Sequence, residues 1–167
     1  MKGERQMVNF KYIKLPAMRF IGIDTWRTKE EWLDMWIRRN EFLPKLEEGM
    51  KEQISSVMPW VCSFMHHDDG EVDATNRYLI GHFFEPDTLV SPGYDYYEFK
   101  PQTAAYAVFE EACFEDLFLR YEVTRDKILE DGIGIPYPIG YWHAEVYFDK
   151  TPDEELFNCG VLFSCNK

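Results

Sequence analysis

Two stretches, Leu15-Pro16-Ala17-Met18-Arg19-Phe20 and Lys100-Pro101-Gln102-Thr103-Ala104-Ala105, stand at the same point of two successive runs of the chain, and their punctuation decides the fold. Proline has no N–H to give to a ladder, so it fits a turn or an edge and not a central strand position. Each stretch therefore reads as the proline turn between two extended segments. Around the first these are Val8 to Lys14 and Met18 to Asp24; around the second, Tyr94 to Phe99 and Thr103 to Phe109.

Outward from these turns the order repeats. In the first run Thr28-Lys29-Glu30-Glu31 matches the capping box that opens a helix. Trp32, Met35, Trp36, Leu43 and Leu46 follow at near-helical spacing, with a break or kink expected at Pro44. Extended runs Val57 to Met65 and Arg77 to Phe84 flank the turn-forming His66-His67-Asp68-Asp69-Gly70. In the second run Phe114, Leu117, Phe118, Tyr121, Ile128 and Leu129 trace a helical face that ends at Asp131-Gly132. A loop containing Gly134, Pro136, Pro138 and Gly140 leads to the last extended runs, His143 to Phe148 and Phe157 to Cys165. The expectation is an α+β fold of two pseudo-symmetric strand-strand-helix-strand-strand repeats, about 8–85 and 93–166, with antiparallel sheets, within a single domain of residues 1–167. One unit alone would leave a sheet face uncovered, which two units cover together, with a ligand cleft between them.

Composition narrows the function. Of 167 residues 17% are aromatic (13 Phe, 10 Tyr, 5 Trp), an excess that suits flat or cationic ligands as well as a core. Thirty acidic against 18 basic residues give a net charge of -12, a field that repels a phosphate backbone, so no direct nucleic-acid binding is expected. Neither a signal peptide nor a membrane span is expected. The four cysteines Cys62, Cys113, Cys159 and Cys165 form no CxxC pair and read as reduced thiols of a cytoplasmic protein. His66-His67-Asp68-Asp69 reads as a hairpin loop and not a metal site, because neighbouring residues on a strand end point opposite ways. No metal, cofactor, phosphate loop or serine elbow is expected.

The stretch Pro101-Gln102-Thr103-Ala104-Ala105-Tyr106-Ala107-Val108-Phe109, the helix and Gly/Pro loop after it, His143-Ala144-Glu145-Val146-Tyr147-Phe148 and Cys159-Gly160-Val161-Leu162-Phe163 together resemble the GyrI-like effector-binding domain. The Leu15-Pro16-Ala17-Met18 start of the first half fits the same pattern, so the resemblance spans nearly the whole chain. It implies a bacterial small-molecule binder with an aromatic pocket at the junction of the repeats, of multidrug-binding character. Relatives include the sensing halves of transcription regulators, a gyrase-inhibiting protein and hydrolases that open cyclopropane-bearing toxins. Regulators carry a helix-turn-helix module beside this domain, which 167 residues do not accommodate, so a stand-alone monomer or homodimer is expected.

Glu145 is singled out. Strand alternation puts His143 and Tyr147 on its face and Ala144, Val146 and Phe148 on the other. A carboxylate there faces water or a cavity, and the resemblance places the family's ligand-contacting glutamate at this position. Trp142, Tyr147, Tyr106 and Phe20, with Trp60 and Tyr97, are the expected aromatic wall, where ring faces and the carboxylate would together attract a cation. The same residues leave a hydrolase open, with Glu145 as general base and Tyr147 or Tyr106 as hydrogen-bond donor. A protein-binding inhibitor is the third reading.

Overall fold

Strands rich in β-branched and aromatic residues pair into one antiparallel eight-stranded sheet. This computed structural model describes residues 7–25, 31–67 (His67 by its backbone only), 77–136 and 141–167. Its strands are β1 (Met7–Leu15), β2 (Met18–Asp24), β3 (Val61–His67), β4 (Arg77–Phe84), β5 (Asp95–Phe99), β6 (Gln102–Ala112), β7 (Tyr141–Tyr147) and β8 (Phe157–Ser164). The helices are α1 (Trp32–Ile37), α2 (Leu43–Met50) and α3 (Leu117–Glu130). Thr28, Lys29 and Glu30 of the expected capping box, Asp68 to Gly70, Pro138 and Gly140 lie outside the described residues.

The strand order is β1-β6-β8-β7-β3-β4-β2-β5. Exchanging β1 with β5, β2 with β6, β3 with β7 and β4 with β8 reverses that order and leaves it unchanged, so the expected pseudo-symmetric α+β repeats are what the chain adopts. Two features were not anticipated. The repeats' sheets are joined through β3–β7, and the repeats exchange their first strands: β1 pairs with β6, and β5 with β2. Leu15↔Gln102 in one half answers Phe99↔Met18 in the other. Leu15 thus corresponds to Phe99, and Pro16 to Lys100 instead of Pro101. Matching the prolines runs one residue out of step because strand pairing, not the turn, sets the register.

The exchange forces the sheet to roll. β1 and β2 are six strand positions apart, as are β5 and β6, which in a flat sheet is roughly 29 Å. Yet only Pro16 and Ala17, or Lys100 and Pro101, join them, a reach of roughly 10 Å. The sheet accordingly curls at that end, bringing Phe99 of β5 to 5.0 Å from Trp142 of β7, ring centroid to centroid. Trp142 Nε1 donates to Gln102 Oε1 at 3.0 Å. Gly22 and Gly81 face each other across β2 and β4, and a Cβ on either would strike the opposite backbone, so the strands can approach there only without side chains.

The rolled face holds Phe20, Phe64, Phe83, Phe99 and Trp142, while the other face carries the helices over Ile21, Ile80, Phe84, Val161 and Phe163. Pro44 sits in the first turn of α2, where its missing N–H is harmless. The helical break is the 3-10 turn Arg39–Glu41 before it. At the end of α3, Gly132 (φ 76°) closes the helix, its N–H donating to Leu129 O at 3.0 Å and that of Ile133 to Ile128 O at 3.2 Å.

Candidate functional site

In α3 the positions Leu117, Arg120, Tyr121, Thr124 and Ile128 follow one another at intervals of one, three or four, and all are buried, in a helix that packs on β6 and β8. Phe118 and Leu129, expected on that face, are 56% and 53% exposed, because the true stripe is turned toward Arg120. Arg120 therefore enters the core, 1% exposed.

It meets Glu145. The correspondence fixed by Leu15 and Phe99, carried through β4 and β8, equates Ser63 of β3 with Glu145 of β7, and these two also face each other in the central ladder. Glu145 thus lies on the pseudo-dyad, fully buried on the helix face. Arg120 Nη2 donates to its two oxygens at 3.0 and 2.8 Å, while Nη1 donates to the Cys113 carbonyl at 2.7 Å. The guanidinium also rests 5.3 Å from the Phe157 ring. Burial pushes the Glu145 carboxyl above its usual range, and Arg120 draws it back only in part. Burial works against the Arg120 charge too, but the adjacent carboxylate more than restores it. An arginine in a protein keeps its proton, so the two form an ion pair.

Aromatic rings close around the pair. Trp36 of α1 stands edge-on to Tyr147 at 4.7 Å and donates Nε1–H to Tyr78 Oη at 3.0 Å. Trp32 stacks on Tyr78 at 5.1 Å and touches Phe118 at 5.6 Å. Tyr121 lies on His143 at 3.8 Å. Tyr147 Oη and Ser63 Oγ are 3.5 Å apart. Burial raises the Tyr78 hydroxyl to about 12 and those of Tyr121 and Tyr147 well above their ordinary value, so all three stay protonated. Beside this cluster a surface cleft of 520 Å³ opens between α1, the turn before α3 and the β7–β8 connection. Leu33, Phe114 and Leu156 share its walls with Asp153, Glu154 and Glu155, and Cys113, whose carbonyl holds Arg120, lines it as well.

No protein-family model matches the chain, and no curated protein matches it. Among solved structures, SAV2435 bound to tetraphenylphosphonium is similar with a TM-score of 0.62 at 13% identity, over 95% of this chain and 94% of that one. The EcmrR C-terminal domain follows at 0.57 and 10%, over 95% and 98%. A hydrolase encoded by lin2189 from Listeria innocua gives 0.52 and 10%, over 99% and 95%. The doubled repeat and the near-complete coverage agree with the motifs of the second half. This chain has the GyrI-like fold.

Within the GyrI-like sheet, the residues expected to form one aromatic wall are divided by the backbone. Glu145 and Tyr147 are on the helix face. Trp142, Tyr106, Phe20 and Tyr97 belong to the rolled face, and Trp60 packs against that cluster, edge-on to Phe148 at 4.9 Å. These five do not surround Glu145, because Trp142 is an odd number of residues from it on β7, Tyr106, Phe20 and Tyr97 pair onto the same side as Trp142, and Trp60 packs there too. His66 also lies on the rolled face, 4.6 Å from Tyr97. Arg120, Cys159, Tyr121 and Tyr78, which interact with Glu145, were absent from the expected set, as was Trp36, which packs on Tyr147 and Tyr78. Helical spacing marks Arg120 as inward-facing, since it falls three after Leu117 and four before Thr124. Among the described residues the four cysteines are free, and no helix is long and apolar enough to cross a membrane.

Proposed function

We propose that the whole chain acts as one binding unit for a small, largely apolar aromatic molecule, which it holds on the helix face around Glu145 as a sensor, sequestering agent or resistance protein. One observation carries this reading: a fully buried carboxylate on the pseudo-dyad, ringed by Trp36, Tyr78, Tyr121 and Tyr147. A core built for stability alone gains nothing from a charge there, since a buried ion pair is no more stabilising than well-packed apolar residues. The adjoining cleft, with apolar walls and an acidic rim, supports approach from the α1 side. The tetraphenylphosphonium bound by a protein of the same fold supports the size and aromatic make-up of the ligand. A hydrolytic role for Glu145 is less well supported: a general base needs an oxygen free to take a proton from water, and both oxygens are held by Arg120.

A thermal-shift panel tests the reading, because a ligand that binds only the folded state raises stability by about 2.7 kcal/mol at a hundredfold excess over Kd. Tetraphenylphosphonium or neutral aromatic compounds should raise Tm, and phosphate-bearing anions should not. Stabilisation by the anions alone would overturn it. Product analysis on strained electrophilic compounds in the same samples separates a binder from a hydrolase.

A further inference from the structure

We infer that Arg120 sets the ligand class of this site, directing it toward neutral aromatic molecules that carry a hydrogen-bond acceptor and away from permanent cations. The inference rests on the binding reading above and adds the charge of the ligand to it.

The acidity of the chain as a whole suggests a taste for cations, but the site itself is electrically balanced. Glu145 already has its counterion. Both its oxygens accept from Arg120 Nη2, and the guanidinium is anchored by the Cys113 carbonyl and the Phe157 ring, 1% exposed. A cation arriving at Glu145 would have to share the carboxylate with a like charge, or leave Arg120 buried without it. Arginine cannot escape by losing its proton. A neutral ligand leaves the pair undisturbed and gains apolar contact with the aromatic cluster of Trp36, Tyr78 and Tyr147. What the site offers besides is a donor. Arg120 Nε is buried without a protein partner among the described residues and has a hydrogen to give, and the Tyr121 hydroxyl is directed at the Glu145 carboxylate beside it. A carbonyl or ether oxygen on a flat ring answers that surplus, whereas an onium ion, having no acceptor, does not.

The test titrates tetraphenylphosphonium and 7-methoxycoumarin, a neutral carbonyl-bearing ring, into three full-length proteins: wild type, Arg120→Gln, and Arg120→Gln/Glu145→Gln. Wild type should bind the coumarin at least as tightly as the cation. In Arg120→Gln the cation should gain about tenfold or more, as Glu145 becomes available to it, and the coumarin should lose about tenfold. The double variant should give back the cation's gain. A cation-to-coumarin preference that stays within about threefold of wild type in Arg120→Gln overturns the inference, as does a wild type that prefers the cation or a gain that survives in the double variant. If Arg120→Gln shows no cooperative melting, the double variant decides, since it buries no lone charge. Cation affinity within about threefold of wild type, with weaker coumarin binding, supports the inference. A tenfold loss of cation binding overturns it, because Glu145 was then serving cations with Arg120 in place. Probes that bind but ignore Arg120 remove this inference alone, whereas no binding of either probe to any folded form removes the binding reading as well.

Discussion

At the pseudo-dyad the two repeats place Ser63 and Glu145 opposite each other on matching backbone, and they answer that backbone with opposite chemistry. From repeat one, α1 sends in Trp36, which packs on Tyr147 and hydrogen-bonds Tyr78. From repeat two, α3 sends in Arg120, which pairs with Glu145. Repeat one fills the centre with apolar area, and repeat two fills it with a charge and its counterion. The difference teaches that a duplicated scaffold yields a symmetric floor, and that anything selective about the floor must come from residues that break the symmetry.

The comparison breaks first at Arg120. Arg120→Met strands a carboxylate with no exposure, so urea unfolding near pH 7.5 should show a loss of about 3 kcal/mol or more. The deficit should depend on pH in a defined direction. Burial already raises Glu145 above its ordinary value of 4.5, and without Arg120 it rises further. A carboxyl with a raised folded pKa supports the fold below its unfolded pKa and loses that support as pH rises through the folded one. The deficit of Arg120→Met should therefore be largest above neutrality and shrink toward pH 4.5. A loss that does not vary with pH would show that Arg120 contributes packing and no charge.

Repeat one supplies the matching test at smaller scale. Trp36→Phe removes ring volume and the donor to Tyr78, and the unfolding free energy should fall by roughly 2 kcal/mol with little pH dependence. A pH-dependent loss as large as that of Arg120→Met would erase the contrast between the halves. Smallest is Ser63→Ala, expected to lie within about 1 kcal/mol of wild type, since the neutral hydroxyl meets only the hydroxyls of Tyr147, at 3.5 Å, and Tyr78. A larger loss would make Ser63 a working counterpart of Glu145 instead of a bystander.

Local periodicity made much of this fold legible. The proline turns, the helices, the Gly132 cap and the shared facing of His143, Glu145 and Tyr147 depend on residues close in sequence, so their pattern appears there directly. The pairing of β1 with β6 joins segments about ninety residues apart and leaves no local trace. The site was only half legible. Strand parity alone separates Trp142 from Glu145, yet grouping rings by chemistry ran against it. Helical spacing marks Arg120 as inward-facing, but its partner on β7 becomes apparent only when the sheet is assembled.

The exchanged first strands also bear on how the chain is made. As it leaves the ribosome, β1 and β2 emerge together, but neither has its outer partner until β5 and β6 have followed. Residues 7–84 would meanwhile present the β2 edge without its β5 neighbour, and β1 would hang free. Co-translational folding of the first half is therefore incomplete by construction, and the nascent chain has open edges to protect through most of its synthesis.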